Sequence, residues 1–146
     1  MFHDIFGHIP LLCDPVFSAF MEKFGQIGCR FAADPEIVLQ LQRLYWFTIE
    51  FGMIYENRNM KVYGAGIISS AGETKNALSN KVKKFDFSIE KVFNTDFRTD
   101  ILQDKYFVID SFEELLASVP KIESAVEELT LTTSWHSITL KRLPLV

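Results

Sequence analysis

The stretch LYWFTIEFGMIY, residues 44–55, constrains the fold more than any other part of this chain. It is apolar on nearly every helical face yet carries one carboxylate, Glu50. A helix of that character has to be buried, and an ionised carboxylate buried without a partner is costly. Two resolutions are open. Arg43 lies seven residues back on roughly the same face, about 10 Å along the axis at 1.5 Å per residue, so a long side chain closing that gap makes a structural ion pair. The other resolution is a metal ion, which needs further ligands.

Candidates for those ligands stand at the other end of the segment's reach in sequence, in the opening MFHDIFGHIP. His3 and His8 are five residues apart. On a regular α-helix that spacing separates them by about 140° and aims them at different points. Gly7 precedes His8 and Pro10 follows it, so a helix carrying His3 should end or bend there, and the irregularity can bring the rings together. The spacing is not the i, i+4 pair of a zinc peptidase helix, and no Glu lies between the two histidines. Alone, the pair fits one packed histidine and one bystander equally well. With Glu50, it makes the donor set of a 2-His-1-carboxylate site on non-haem Fe(II); zinc in a His2Glu site has the same ligand types.

Around these residues the pattern is mainly helical. Asp14-Pro15 and Asp34-Pro35 each pair an N-cap carboxylate with a proline at the first helical position, predicting helices over about 15–31 and 35–56 in an antiparallel pair. Asn57-Arg58-Asn59 breaks the second helix, and MKVYGAGIISS reads as two short strands around Gly64-Ala65-Gly66. Ser70 with Glu73, and Ser111 with Glu114, have capping-box spacing and predict short helices, the first reaching about Ser79. The lysine-rich NKVKKFDFSIEKVFNTDFRTD is expected to be mostly loop, KYFVID a strand, and KIESAVEEL a helix. The Thr- and Ser-rich TLTTSWHSITLKRLPLV reads as strand or loose tail. The fold class is therefore mainly α with a small β ribbon.

Composition narrows the function. The chain has 146 residues, 48% hydrophobic and 23% charged, with a net charge of −4 and no basic block, which argues against nucleic acid or an anionic membrane as partner. No apolar run is long enough to cross a bilayer. Fourteen phenylalanines predict a core built on aromatic rings. Cys13 and Cys29 lack metal-type spacing and are expected to be buried; with no visible signal peptide, they fit a reducing, cytoplasmic setting.

HDIFGHIP and LYWFTIEFGMIYENRNMKVYGAGIISSAGE resemble the pterin-dependent aromatic amino-acid hydroxylases, and FRTDILQDKYFVIDSFEELLASV resembles the bacterial phenylalanine 4-hydroxylase branch. The resemblance covers about residues 2–119. It implies part of that family's catalytic fold, with Fe(II), tetrahydrobiopterin and O2 as the means of hydroxylating an aromatic amino acid, phenylalanine to tyrosine above all. It places iron ligands on His3, His8 and Glu50, an acidic residue of the pterin side on Asp4, and a tyrosine near the iron on Tyr45. It also places substrate-pocket residues on Trp46, Phe51, Gly66 and Ser69. Without the resemblance, Tyr45, Trp46 and Phe51 are ordinary core aromatics, and His136 matches no part of the motif.

The family's HDxFGH motif lies mid-domain. Residues 1–119 are accordingly expected to be the C-terminal half of the catalytic domain and 120–146 a divergent tail, as in a truncated or mispredicted reading frame. The family's pterin-binding loop and the arginine that pairs with the substrate carboxylate have no counterpart here. The expectations to weigh are a monooxygenase, an inactive remnant that still binds iron, and a non-catalytic interaction module.

Overall fold

The computed structural model describes residues 1–140. The chain opens with a π-helix, His3–His8, and a 3-10 turn, Pro10–Cys13. Helices α1 (Pro15–Arg30) and α2 (Pro35–Tyr45) follow, and α2 widens into a second π-helical turn, Trp46–Glu50. Strands β1 (Gly52–Glu56) and β2 (Asn59–Val62) come next, then the short helices α3 (Ala65–Ile68) and α4 (Ala71–Ala77). The remainder is β3 (Lys83–Asp86), α5 (Ile89–Phe93), β4 (Lys105–Ile109), α6 (Phe112–Ala117) and α7 (Val119–Leu140). The molecule is mainly helical with one small sheet, as the sequence implies, and among the described residues no helix is long and apolar enough to cross a membrane.

Both Asp-Pro starts form as predicted. The Asp14 carboxylate accepts from the backbone N–H groups of Val16 and Phe17, and Asp34 accepts from those of Glu36 and Ile37. Ser70 and Ser111 cap their helices through the N–H groups of Glu73 and Glu114. On α1, Phe17, Phe20, Phe24 and Ile27 share one face, and this stripe packs into an aromatic core. Phe17, Tyr63 and Phe112 meet there with ring centroids 5.2–6.2 Å apart.

Several sequence expectations give way to tertiary pairing. The predicted helix over 35–56 stops at Glu50. Residues 52–56 become β1, because Gly52, Met53 and Ile54 pair in parallel with Phe107, Val108 and Ile109 of β4. The sheet order is β2-β1-β4-β3, with β3 also parallel to β4. This edge strand, together with α5, occupies the stretch expected to be loop. Of the two strands expected in MKVYGAGIISS only β2 forms, and GAGII turns into α3. Asn57 and Arg58, both with positive φ, make the two-residue turn between β1 and β2.

The Thr-rich segment is helix, not strand or loose tail, as far as Leu140; residues 141–146 lie outside the described residues. Val119, Ile122 and Val126 supply the buried stripe that holds α7 on the core, overriding weak local propensity. Arg30, at the end of α1, pairs with Glu123 and Glu127 on α7. Both cysteines are exposed, contrary to expectation. Cys29 falls two residues past Ile27 and so points away from the buried face of α1, and Cys13 ends an exposed turn.

Candidate metal centre

Two π-turns build the centre. In a π-helix the backbone bond runs from residue i+5 to residue i, so residues five apart stack on one side. The N–H of Ile9 reaches the carbonyl of Asp4, and the N–H of Phe51 reaches that of Trp46. The first turn therefore puts His3 and His8 side by side, with ring centroids 4.8 Å apart and planes nearly perpendicular. This is the irregularity the sequence required, formed by a wider helix and not by a helix end. The second turn delivers Glu50 at the boundary between α2 and β1.

The three side chains converge. His3 Nε2 and His8 Nε2 are 3.1 Å apart, and they lie 3.5 and 3.2 Å from the two oxygens of Glu50. Ligands bonded to one ion at about 2.1 Å sit about 3.0 Å apart in an octahedral arrangement and about 3.4 Å apart in a tetrahedral one. The observed separations match ligands sharing one cation. The Glu50 side chain is 13% exposed, against 41% for His3 and 25% for His8. Arg43 does not compensate Glu50: it donates to the Phe93 carbonyl at 2.7 Å and pairs with Asp96. Among the described residues, these three form the one group of His, Cys, Asp or Glu side chains able to hold a metal.

Surrounding groups orient the ligands. Ser69 Oγ donates to the Ala65 carbonyl at 2.6 Å, which commits its only hydrogen. It therefore accepts from His3 Nδ1–H at 2.8 Å, and that tautomer leaves the Nε2 lone pair facing Glu50. Gly7 lets the first π-turn lie directly on α3, since a Cβ there would sit 3.0 Å from the Ala65 side chain and carbonyl oxygen. Tyr45 is drawn to the same carboxylate: burial, and then Glu50 as a charge and hydrogen-bond acceptor, push its hydroxyl up to about 12.

An aromatic stack stands beside the carboxylate. Trp46 lies between Phe51, at 4.5 Å, and Phe97, at 4.7 Å. The Phe51 ring rests on Gly66, where a Cβ would approach Phe51 Cζ to 2.7 Å. Asp4 sits apart, exposed; its carboxyl is held below the usual range by the terminal ammonium of Met1, 2.7 Å away, and further by His3 and His8.

The structure thus brings His3, His8, Glu50, Tyr45 and Ser69 together, with Trp46, Phe51 and Gly66 alongside. Phe97 and Gln103 also belong to this neighbourhood; both lie in the FRTDILQDKYFVIDSFEELLASV stretch that carries the resemblance, but the sequence reading assigns a role to neither. A groove of about 770 Å³ elsewhere is lined by other residues, among them Phe87, Phe93, Lys121 and Leu129.

Two imidazoles and a carboxylate around one point on a helical scaffold are the donor set of the mononuclear 2-His-1-carboxylate class of metal proteins. Comparison with known proteins makes this specific. Residues 1–139 match the family described as biopterin-dependent aromatic amino acid hydroxylase, and the chain belongs to that family. It is 45% identical over 135 residues to a phenylalanine-4-hydroxylase of Ralstonia nicotianae, covering 90% of this chain and 43% of that protein. It is 40% identical over 137 residues to the Chromobacterium violaceum phenylalanine-4-hydroxylase, covering 92% and 46%. The crystal structure of C. violaceum phenylalanine hydroxylase with bound iron(III) and 7,8-dihydrobiopterin superposes with a TM-score of 0.80 at 41% identity, over 90% of this chain and 47% of that one. The chain thus spans less than half the length of these relatives.

Proposed function

We propose that this chain carries the iron-binding part of a phenylalanine 4-monooxygenase, which hydroxylates phenylalanine to tyrosine with O2 and tetrahydrobiopterin. The observation that carries the reading is the convergence of His3, His8 and Glu50 next to the Trp46–Phe51 stack, in a chain so similar to phenylalanine-4-hydroxylases. His3, His8 and Glu50 would hold Fe(II), which would supply the chemistry of O2 activation there.

Everything else falls to the chain's own residues. Ser69 holds His3 in its metal-binding tautomer. Tyr45 stands close enough to Glu50 for the carboxylate's charge to keep its hydroxyl protonated, and so presents a proton to that side of the site. Phe51, stacked on Trp46 and backed by Gly66, offers a ring face against which an aromatic side chain stacks, and tight positioning of that kind is what attack on one ring carbon demands. Asp4 offers exposed acceptor oxygens on the histidine side, suited to the N–H groups of a pterin. Two exposed thiols fit a reducing cytoplasm.

Anaerobic titration with ferrous iron, followed by assay of tyrosine formed from phenylalanine with pterin and O2, tests the reading. Stoichiometric iron and pterin-dependent tyrosine support it; no iron bound by the folded chain overturns it. Iron bound without turnover supports the second reading, a metal-binding polypeptide that is inactive alone. That reading is favoured by the exposure of Phe2, Ile5, Phe6 and Ile9 around the histidines.

A further inference from the structure

Glu73 and Gln103 are polar yet only 4% and 6% exposed. Ser70 caps the Glu73 N–H, but the Glu73 carboxylate does not return to the helix start as a capping box would have it. It turns inward, accepting from the Gln103 backbone N–H at 3.1 Å and from the Tyr106 hydroxyl. Asn76 donates to the Gln103 carbonyl at 2.7 Å and to the Tyr106 oxygen at 2.9 Å. The Gln103 side-chain amide donates to the Arg98 carbonyl at 2.8 Å. Its backbone and its amide nitrogen are thereby pinned, which leaves one functional atom, Oε1, in a fixed place. That oxygen accepts the indole N–H of Trp46 at 3.0 Å.

We infer that Gln103 is a positioning residue for the aromatic substrate, setting the plane of the Trp46 indole beside the metal centre through that single acceptor, with Glu73 as its anchor. The inference rests on the reading of the Trp46–Phe51 stack as a wall of the substrate pocket, with the indole setting where the Phe51 ring lies. Stacking alone leaves a ring free to slide in its own plane, because offset geometries differ little in energy. A hydrogen bond at the ring's edge removes that freedom, and a half-buried indole left without its acceptor has reason to rotate toward water. The brace bridges α4 and the segment ahead of β4 to the second π-turn, so it fixes the indole from outside the element that carries Glu50.

The test uses the full chain loaded with cobalt(II), comparing wild type, Gln103→Leu, Trp46→Phe and the double variant. Gln103→Met, which keeps an unbranched side chain, stands in if the leucine variant does not fold. Three readouts are taken: cobalt affinity, phenylalanine affinity by calorimetry, and hydrogen exchange of the Trp46 indole N–H, assigned by its disappearance in Trp46→Phe. Gln103→Leu is expected to leave cobalt affinity within about twofold, to speed indole exchange at least about tenfold, and to weaken phenylalanine binding by about tenfold. In the Trp46→Phe background it should cost nothing further, since the indole N–H is already gone.

Unchanged phenylalanine affinity in Gln103→Leu, or the same loss with and without the indole, overturns the inference. A cobalt-loaded wild type that ignores phenylalanine while its indole N–H stays protected overturns the reading of this site as a phenylalanine pocket, and the positioning role of Gln103 with it. In that outcome the metal centre still stands.

Discussion

The two π-turns that meet at the candidate metal centre do the same geometric job in opposite surroundings. The second, Trp46–Glu50, is embedded: Phe47, Thr48 and Ile49 are fully buried, and Phe47 packs edge-on against Phe107 at 5.2 Å. The first, His3–His8, lies on the surface, with Gly7 its only buried residue and Phe2, Ile5 and Phe6 turned outward. Its fastenings include the Gly7–Ala65 contact and the His3–Ser69 hydrogen bond. The carboxylate is therefore the fixed reference of the site, while the imidazoles are set by a small number of replaceable contacts.

That contrast can be broken or sharpened by substitution. The largest effect is expected from Glu50→Ala, which should weaken Fe(II) or Co(II) binding by more than about 100-fold, since loss of a ligand must exceed loss of a mere ligand partner. Titration of the folded variant checks it, and metal retained at near wild-type affinity would break the assignment. Phe47→Ala should cost about 3–5 kcal/mol in urea unfolding, because it empties a packed core position. Phe6→Ser, the equivalent change on the outer turn, should move stability by no more than about 0.5 kcal/mol. Equal costs for the two would erase the contrast.

Smaller effects probe the fastenings. Ser69→Ala frees the His3 tautomer and should cost about 10- to 100-fold in metal affinity, with urea stability little changed. Gly7→Ala pushes the first turn off α3 by a few tenths of an ångström. A several-fold loss of metal affinity is expected, without the unfolding seen for Phe47→Ala.

The smallest effect concerns pH. In the metal-free protein the Tyr45 hydroxyl is raised from 10.0 to about 12 by burial and by Glu50. The unfolded phenol ionises first as pH rises, so the stability tied to neutral Tyr45 is complete below pH 10 and is lost on approach to pH 12. Denaturation midpoints over that window should fall less steeply in Tyr45→Phe than in the wild type.

What the sequence made legible follows from how local each signal is. The Asp14 and Asp34 caps were readable because a cap is settled within three residues. The end of the second helix was not, because FGMIY becomes a strand only through partners in β4, more than fifty residues on. Lys83–Asp86 was unreadable for the same reason: a polar edge strand is defined by its neighbour. In the α7 segment, threonines suggested strand, whereas the spacing of Val119, Ile122 and Val126 decided the outcome.

At the site, resemblance supplied the ligand trio, and spacing alone argued against it. His3 and His8 look incompatible until the backbone is allowed its wider turn. Gln103 could not be found from sequence, since its importance lies in having every other polar group already engaged.

The parallel pairing of β1 with β4 has a consequence for how the molecule assembles. Glu50 sits two residues before β1, and β1 is aligned only once the chain has closed a loop of more than fifty residues, an event that slows folding. Metal capture should consequently come late in refolding: the imidazoles can gather early from their five-residue neighbourhood, but the acid arrives last. Cobalt colour developing during refolding would then serve as a clock for completion of the sheet.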